Sequence, residues 1–161
     1  MRLFGSDAPS RDSVPRAQHV ELGRRGEVLA IEHLRRAGYR MVAANFNIPI
    51  GRNRRDALIS GEIDVIAYDG PTLCFIEVKT RASDEFNLPQ ANVDLRKRRQ
   101  IARAARAYRR MLGLTNASYR YDVVTVVLPN ETEAGSRVEL LKSFWTDEKL
   151  HQRNSHEPRW D

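Results

Sequence analysis

The sequence predicts a single α/β domain, a mixed β-sheet with helices on its faces. Three observations carry this. The stretch from Gly61 to Arg81 is a β-prone hairpin that is apolar at both parities, as expected of central strands covered on two sides. Two segments place apolar residues at spacings of three and four, one from about residue 17 to Gly38 and one from about Asp94 to Leu112. The order is helix, three strands, helix, further strands, which layers helices against one sheet. At 161 residues the chain is long enough for one domain with a real core.

Residues 1–16 are polar and rich in Gly, Ser and Pro, and predict a flexible tail. Val20, Leu22, Gly26, Leu29, Ala30, Leu34 and Ala37 then form the inner stripe of the first helix, with Gly38 as its stop. Glu27 falls beside that stripe, where it either pairs with Arg24 or Arg25 or faces the sheet. Tyr39 to Asn45 is extended and belongs at or near a sheet edge. Residues 46–60 predict a basic loop, broken by Pro49 and Gly51 and carrying Arg52, Arg54 and Arg55. It is either a solvated surface loop or an arm whose guanidinium groups contact phosphates.

Asp69-Gly70 is the turn signal of the central hairpin, with Pro71 ahead of the second strand. A loop over residues 82–90 leads to the second helix, with Asp94 as N-cap and Leu95, Ile101, Ala102, Ala105, Tyr108, Met111 and Leu112 turned inward. Arg96, Lys97, Arg98, Arg99, Arg103, Arg106, Arg109 and Arg110 fill most other positions. A helix this one-signed repels itself at i,i+4 and gains from an anionic partner. Tyr119 to Leu128 and Val138 to Trp145 are further strands, around a turn-rich loop at 131–136. Residues 146–161 predict a polar tail.

The chemistry concentrates in the central hairpin, where Glu62, Asp64, Glu77 and Lys79 interrupt apolar strands. Side chains alternate along a strand, so Glu62 and Asp64 share one face, as do Glu77 and Lys79. An E-x-K pair in a strand is ordinarily a solvated ion pair, but apolar residues at both parities argue against a solvated face here. The other arrangement is a carboxylate cluster that holds a divalent cation through oxygen, with an ammonium beside it.

The spacing of Asp64 and Glu77-Val78-Lys79 resembles the PD-(D/E)XK nuclease core. G-E-I-D-V-I-A, F-I-E-V-K-T-R, R-K-R-R and R-Y-D-V-V together resemble the YraN family of predicted endonucleases, over about Glu21 to Leu128. The resemblance implies a restriction-endonuclease-like fold, similar to archaeal Holliday junction resolvases. It also implies a metal-dependent nuclease acting on DNA, ahead of RNA, in repair or recombination. By position it assigns Asp64, Glu77, Lys79 and Glu27 to catalysis. Mg²⁺ or Mn²⁺ would be held by Asp64, Glu77, the Val78 carbonyl and Glu27, with Glu62 behind them. It lets Gly23 and Gly26 bring the first helix close to the sheet. It implies nucleic-acid contacts from Arg81, Arg96, Lys97, Arg98 and Arg99, and a homodimer. Arg52, Arg54 and Arg55 lie in a loop longer than the family's counterpart, and their phosphate contact is read from the residues alone. Asp122 matches the R-Y-D-V motif, and an ion pair with Arg120 or a structural hydrogen bond accounts for it ahead of metal ligation. The alternative function is a non-catalytic nucleic-acid-binding protein on a nuclease scaffold.

Composition agrees with a polyanion partner. Net charge is +6 and the isoelectric point is near 9.9. No apolar run reaches the length of a membrane span, and no signal-peptide pattern opens the chain, so no membrane association is expected. The single Cys74 cannot form an internal disulfide, which suits a reducing cytoplasm. The four histidines lack metal-ligand spacing, and no P-loop or G-x-G-x-x-G is present.

Overall fold

Five strands form one mixed sheet in the order β1-β2-β3-β4-β5: β1 (Arg40–Arg52), β2 (Leu58–Asp69), β3 (Thr72–Arg81), β4 (Tyr119–Val127) and β5 (Arg137–Trp145). Only β3 and β4 are parallel, as a crossover through helix α2 (Leu95–Met111) requires. The computed structural model describes residues 16–82, 93–129 and 135–151. The tail expected at 1–16 lies outside these except for Arg16, and so do most of the 82–90 and 131–136 loops and the tail from residue 152.

The two faces of the central strands feed two cores, with β2 changing parity between Ile63 and Val65. Ile63, Ile66, Leu73, Phe75, Tyr121 and Val123 pack under α2 with Ile101, Ala104, Ala105 and Tyr108. Val65, Ala67, Cys74, Ile76, Val124 and Val126 pack on the other face, under helix α1 (Arg16–Arg36) through Ala30 and Leu34. The sheet is therefore covered on both sides, as the apolar hairpin predicted. Gly70, at φ +56°, and Pro71 close that hairpin with the φ signs of a type II′ turn. Asp94 caps α2 by accepting the Lys97 N–H at 2.8 Å.

Three expectations change. Val20 is exposed, because Leu22 is where α1 begins to pack on the sheet. Leu95, Met111 and Leu112 are also exposed, at the two ends of α2. Ala104 is buried instead, where Gly61 lets β2 come close: a Cβ on Gly61 would lie 2.9 Å from that of Ala104.

The basic loop expected at 46–60 is a hairpin arm. β1 continues to Arg52 and pairs with β2 from Leu58, including Pro49↔Ser60. Pro49 is tolerated because β1 is an edge strand, and a register shift between Pro49 and Gly51 absorbs the irregularity. Asn53 ties the tip, its Oδ1 accepting from the N–H groups of Arg55 and Ala57 at 2.9 and 3.0 Å. The expected polar tail at 146–161 opens with a short helix, α3 (Asp147–His151), whose Asp147 accepts from the Tyr119 and Tyr121 hydroxyls at 2.7 and 2.9 Å.

α1 crosses β3 at Gly26, where an added Cβ would fall on the Thr80 side chain, whereas nothing lies within 4 Å of one on Gly23. Close approach thus belongs to Gly26 alone. Gly26→Ala should destabilise the protein by about 1–3 kcal/mol despite its better helix propensity. Gly23→Ala should be neutral or stabilising by up to about 1 kcal/mol. Urea unfolding of the two variants checks the pair.

Candidate functional site

β2 and β3 pair from Asp69↔Thr72 to Val65↔Ile76. Just beyond, the Val78 N–H donates to the Asp64 carboxylate at 2.7 Å instead of to a strand carbonyl. This side-chain bond holds Asp64 beside Glu77. Glu77 lies on the α2 side of β3, two residues after Phe75, and is only 2% exposed. Its Oε1 is 3.0 Å from the Lys79 ammonium. Its Oε2 is 3.4 Å from the Lys97 ammonium, yet makes no hydrogen bond. Burial, and then the charge of Glu77, push the Asp64 carboxyl up to about 7, against the opposing pull of the Val78 N–H and Lys97.

A buried and a half-buried carboxyl group, one oxygen of which has no hydrogen bond, are oxygen donors of the kind a hard divalent cation takes. Mg²⁺ is commonly held by one or two carboxylates with its remaining positions filled by water. The residues present fit such an ion. Among the described residues, however, no three of His, Cys, Asp and Glu converge to hold a metal. Glu27 is accordingly not gathered into one ligand group with Asp64 and Glu77. Its carboxylate instead accepts from the Asn45 amide at 3.2 Å. Asn45 has φ +50° and stands between the pairs Ala44↔Val65 and Phe46↔Ile63, across from Asp64. Glu27 is thus tied to the strand facing the site.

The remaining candidates divide. Glu62 is exposed on β2, and Arg81 is exposed at the end of β3. Arg54 and Arg55 are exposed at the tip of the arm, where Arg52 donates to the Asp56 carbonyl at 2.7 Å. The run Arg96 to Arg99 does not share one face. Arg96 and Arg99 point outward. Lys97 turns in to Glu77, and Arg98 donates to the Val93 carbonyl at 2.6 Å with its guanidinium over the Phe144 ring. The role of Lys97 beside the acidic pair was missed in the sequence. A signal existed, since Lys97 stands one turn before Ile101 on the buried stripe.

Asp122 is fully buried on β4, paired with Ile76 but on the opposite face of the sheet from Glu77, and its partners are structural. It accepts from Arg120 Nε at 2.9 Å, the Ser143 N–H at 2.8 Å and the Tyr39 hydroxyl at 3.3 Å. Arg120 also reaches Asp69 at 2.6 Å, and Lys142 meets the same carboxylate at 2.8 Å. Those two cations hold Asp69 below the usual carboxylate range.

Residues 26–126 match the model of a family described as "Uncharacterised protein family UPF0102". The chain belongs to this family. Similar UPF0102 proteins include one from Chlorobium limicola, 39% identical over 130 residues, covering 78% of this chain and 93% of the relative. One from Koribacter versatilis is 40% identical over 128 residues, covering 80% and 81%. One from Chlorobaculum tepidum is 44% identical over 106 residues, covering 66% and 74%. The motif resemblance to YraN proteins leads to the same family. The UPF0102 match runs from Gly26 to Val126, so it takes in Asp64, Glu77, Lys79, Lys97 and, of the Asp122 network, Tyr39, Asp69, Arg120 and Asp122 but not Lys142 or Ser143.

A carboxyl raised from 3.8 to about 7 binds its proton more tightly in the folded chain than in the unfolded one. Stability should therefore fall as pH rises between those two values, by at most about 4 kcal/mol in metal-free protein. Asp64→Asn should match the wild type near about pH 4 and exceed it by about 2–4 kcal/mol near about pH 8 in chelator-treated urea melts. Asp122→Ala should cost about 3–5 kcal/mol by leaving Arg120 without its buried partner. In calorimetric titration of that variant at a temperature where it stays folded, Mn²⁺ binding should be unchanged.

Proposed function

We propose that this UPF0102 protein is a metal-dependent nuclease that hydrolyses phosphodiester bonds in DNA, with structured or branched DNA in repair or recombination as its setting. The observation that carries this is the pairing of buried Glu77 with half-buried Asp64, with Lys79 against Glu77 Oε1 and Lys97 3.4 Å from Oε2. Asp64 and Glu77, with the Val78 carbonyl, would hold Mg²⁺ or Mn²⁺. Such an ion supplies Lewis-acid polarisation of a phosphoryl oxygen and a lower pKa for water. Lys79, about a third exposed at the rim, orients the attacking water and offsets negative charge developing on the phosphoryl oxygens. Lys97 holds the other oxygen of Glu77 from the α2 side and so fixes the carboxylate plane. Glu27, on its Asn45 tether, adds a carboxylate at the edge of the site. We place the protein in the reducing cytoplasm, in keeping with its free, buried Cys74. No helix among the described residues is long and apolar enough to cross a membrane.

A second reading, a non-catalytic nucleic-acid-binding scaffold, is favoured by one observation. Lys79 and Lys97 together already compensate the charge of Glu77. Cleavage of labelled duplex, flapped and four-way-junction DNA separates the two. The nuclease reading expects cutting that needs Mg²⁺ or Mn²⁺ and falls at least about 100-fold in both Asp64→Ala and Lys79→Ala. It further expects Mn²⁺ binding by calorimetry that is lost in Asp64→Ala and in Glu77→Ala. Tight, salt-sensitive DNA binding with no cutting and no metal uptake would establish the scaffold instead.

A further inference from the structure

A surface cavity of about 350 Å³ lies between the β1–β2 arm and the C-terminal half of α2, lined by Pro49, Ile50, Arg103, Arg106, Ala107 and Arg110. We propose that this groove is a phosphate-binding subsite for the backbone of a nucleic-acid strand, separate from the acidic pair. It rests on the nucleic-acid reading above.

The groove is built, not incidental. Arg103 donates to the Ile50 carbonyl at 2.6 Å, which fixes one guanidinium in the wall and ties the arm to the helix. Gly51, at φ +144°, allows that approach, since a Cβ there would lie 2.9 Å from Arg103 Nη2. Arg106 and Arg110 follow at i+3 and i+7, both exposed. No carboxylate lines the cavity, and among the described residues no ion pair joins either arginine to an acidic group. Like charges at these spacings repel one another, so the stripe gains from an anionic partner. The negative end of the helix dipole explains a basic residue at Arg110 but not at Arg103 and Arg106, one to two turns earlier. Ile50 and Ala107 present apolar surface beside the guanidinium groups, which can engage phosphate oxygens in pairs.

A strand, not a single phosphate, fits the surroundings. Arg96 and Arg99 continue the outer face of α2 toward its N-terminus, so Arg96, Arg99, Arg103, Arg106 and Arg110 form one exposed stripe. At 1.5 Å per residue it is about 21 Å long. Lys97, beside Glu77, is about 14 Å along the axis from Arg106. A strand with one phosphate at the acidic pair would therefore reach the groove several nucleotides away.

The test is binding of a labelled DNA duplex of about two helical turns, with chelator present, across about 50–200 mM salt. For Arg106→Gln/Arg110→Gln, the slope of log affinity against log salt should shrink by about 1.8, with more than about tenfold loss at low salt. Arg106→Lys/Arg110→Lys should keep the slope and lose affinity several-fold, because the charge stays and the paired geometry goes. Arg36→Gln, on the far helix, should change neither. An unchanged slope in the glutamine variant overturns the proposal. So does displacement of the duplex by pyrophosphate or polyglutamate as effective, charge for charge, as by unlabelled DNA, which would assign the groove to free phosphate or to an acidic protein. Binding is read without divalent cation, so failure here leaves metal-dependent cutting to be judged separately.

Discussion

A buried glutamate with a half-buried aspartate beside it, Glu77 and Asp64, is the constraint around which the site is arranged. Taking an ion out of water costs several kcal/mol even after relaxation, and a second like charge beside it adds to that. The chain meets the cost from three elements. β3 supplies Lys79 and the Val78 N–H, α2 supplies Lys97, and Asp64 itself holds a proton up to about pH 7. α2 cannot shift away without uncovering Glu77, and β2 cannot close its ladder on β3 without displacing Asp64.

The second polar cluster shows the opposite design. Asp122 is as buried as Glu77, but its oxygens are met by Arg120, Tyr39 and the Ser143 N–H, and Arg120 is met in turn by Asp69. A fully satisfied network of this kind ties α1's exit, β2, β4 and β5 together. Glu77 Oε2, by contrast, is left without a hydrogen bond. Asp122 thus belongs to a closed hydrogen-bond network, whereas Glu77 is compensated by two ammonium groups.

The charge on α2 is sorted by the same packing. Arginines fill its outer stripe, while Lys97 and Arg98 turn inward, to Glu77 and to the Val93 carbonyl beside the Phe144–Trp145 pair. One helix thus compensates an acidic pair on one side and presents a cationic track on the other.

Local chemistry alone determined much of this. Alternation at both parities named the central strands, Asp69-Gly70 named the turn and Asp94 named the cap, each from neighbours in sequence. Asp64 with Glu77-Val78-Lys79 marked the candidate site by spacing and motif resemblance. Tertiary structure decided the rest. Pro49 and Gly51 read as breakers until β1 proved to run on through them to Arg52, which an edge strand allows because a missing N–H there is harmless. Val20, Leu95, Met111 and Leu112 satisfied helical spacing but lie where no sheet covers them. Lys97 joined the acidic pair, and Glu27 was drawn to Asn45, through contacts between residues 18 or more positions apart. Periodicity states which residues share a face; only packing states what that face meets.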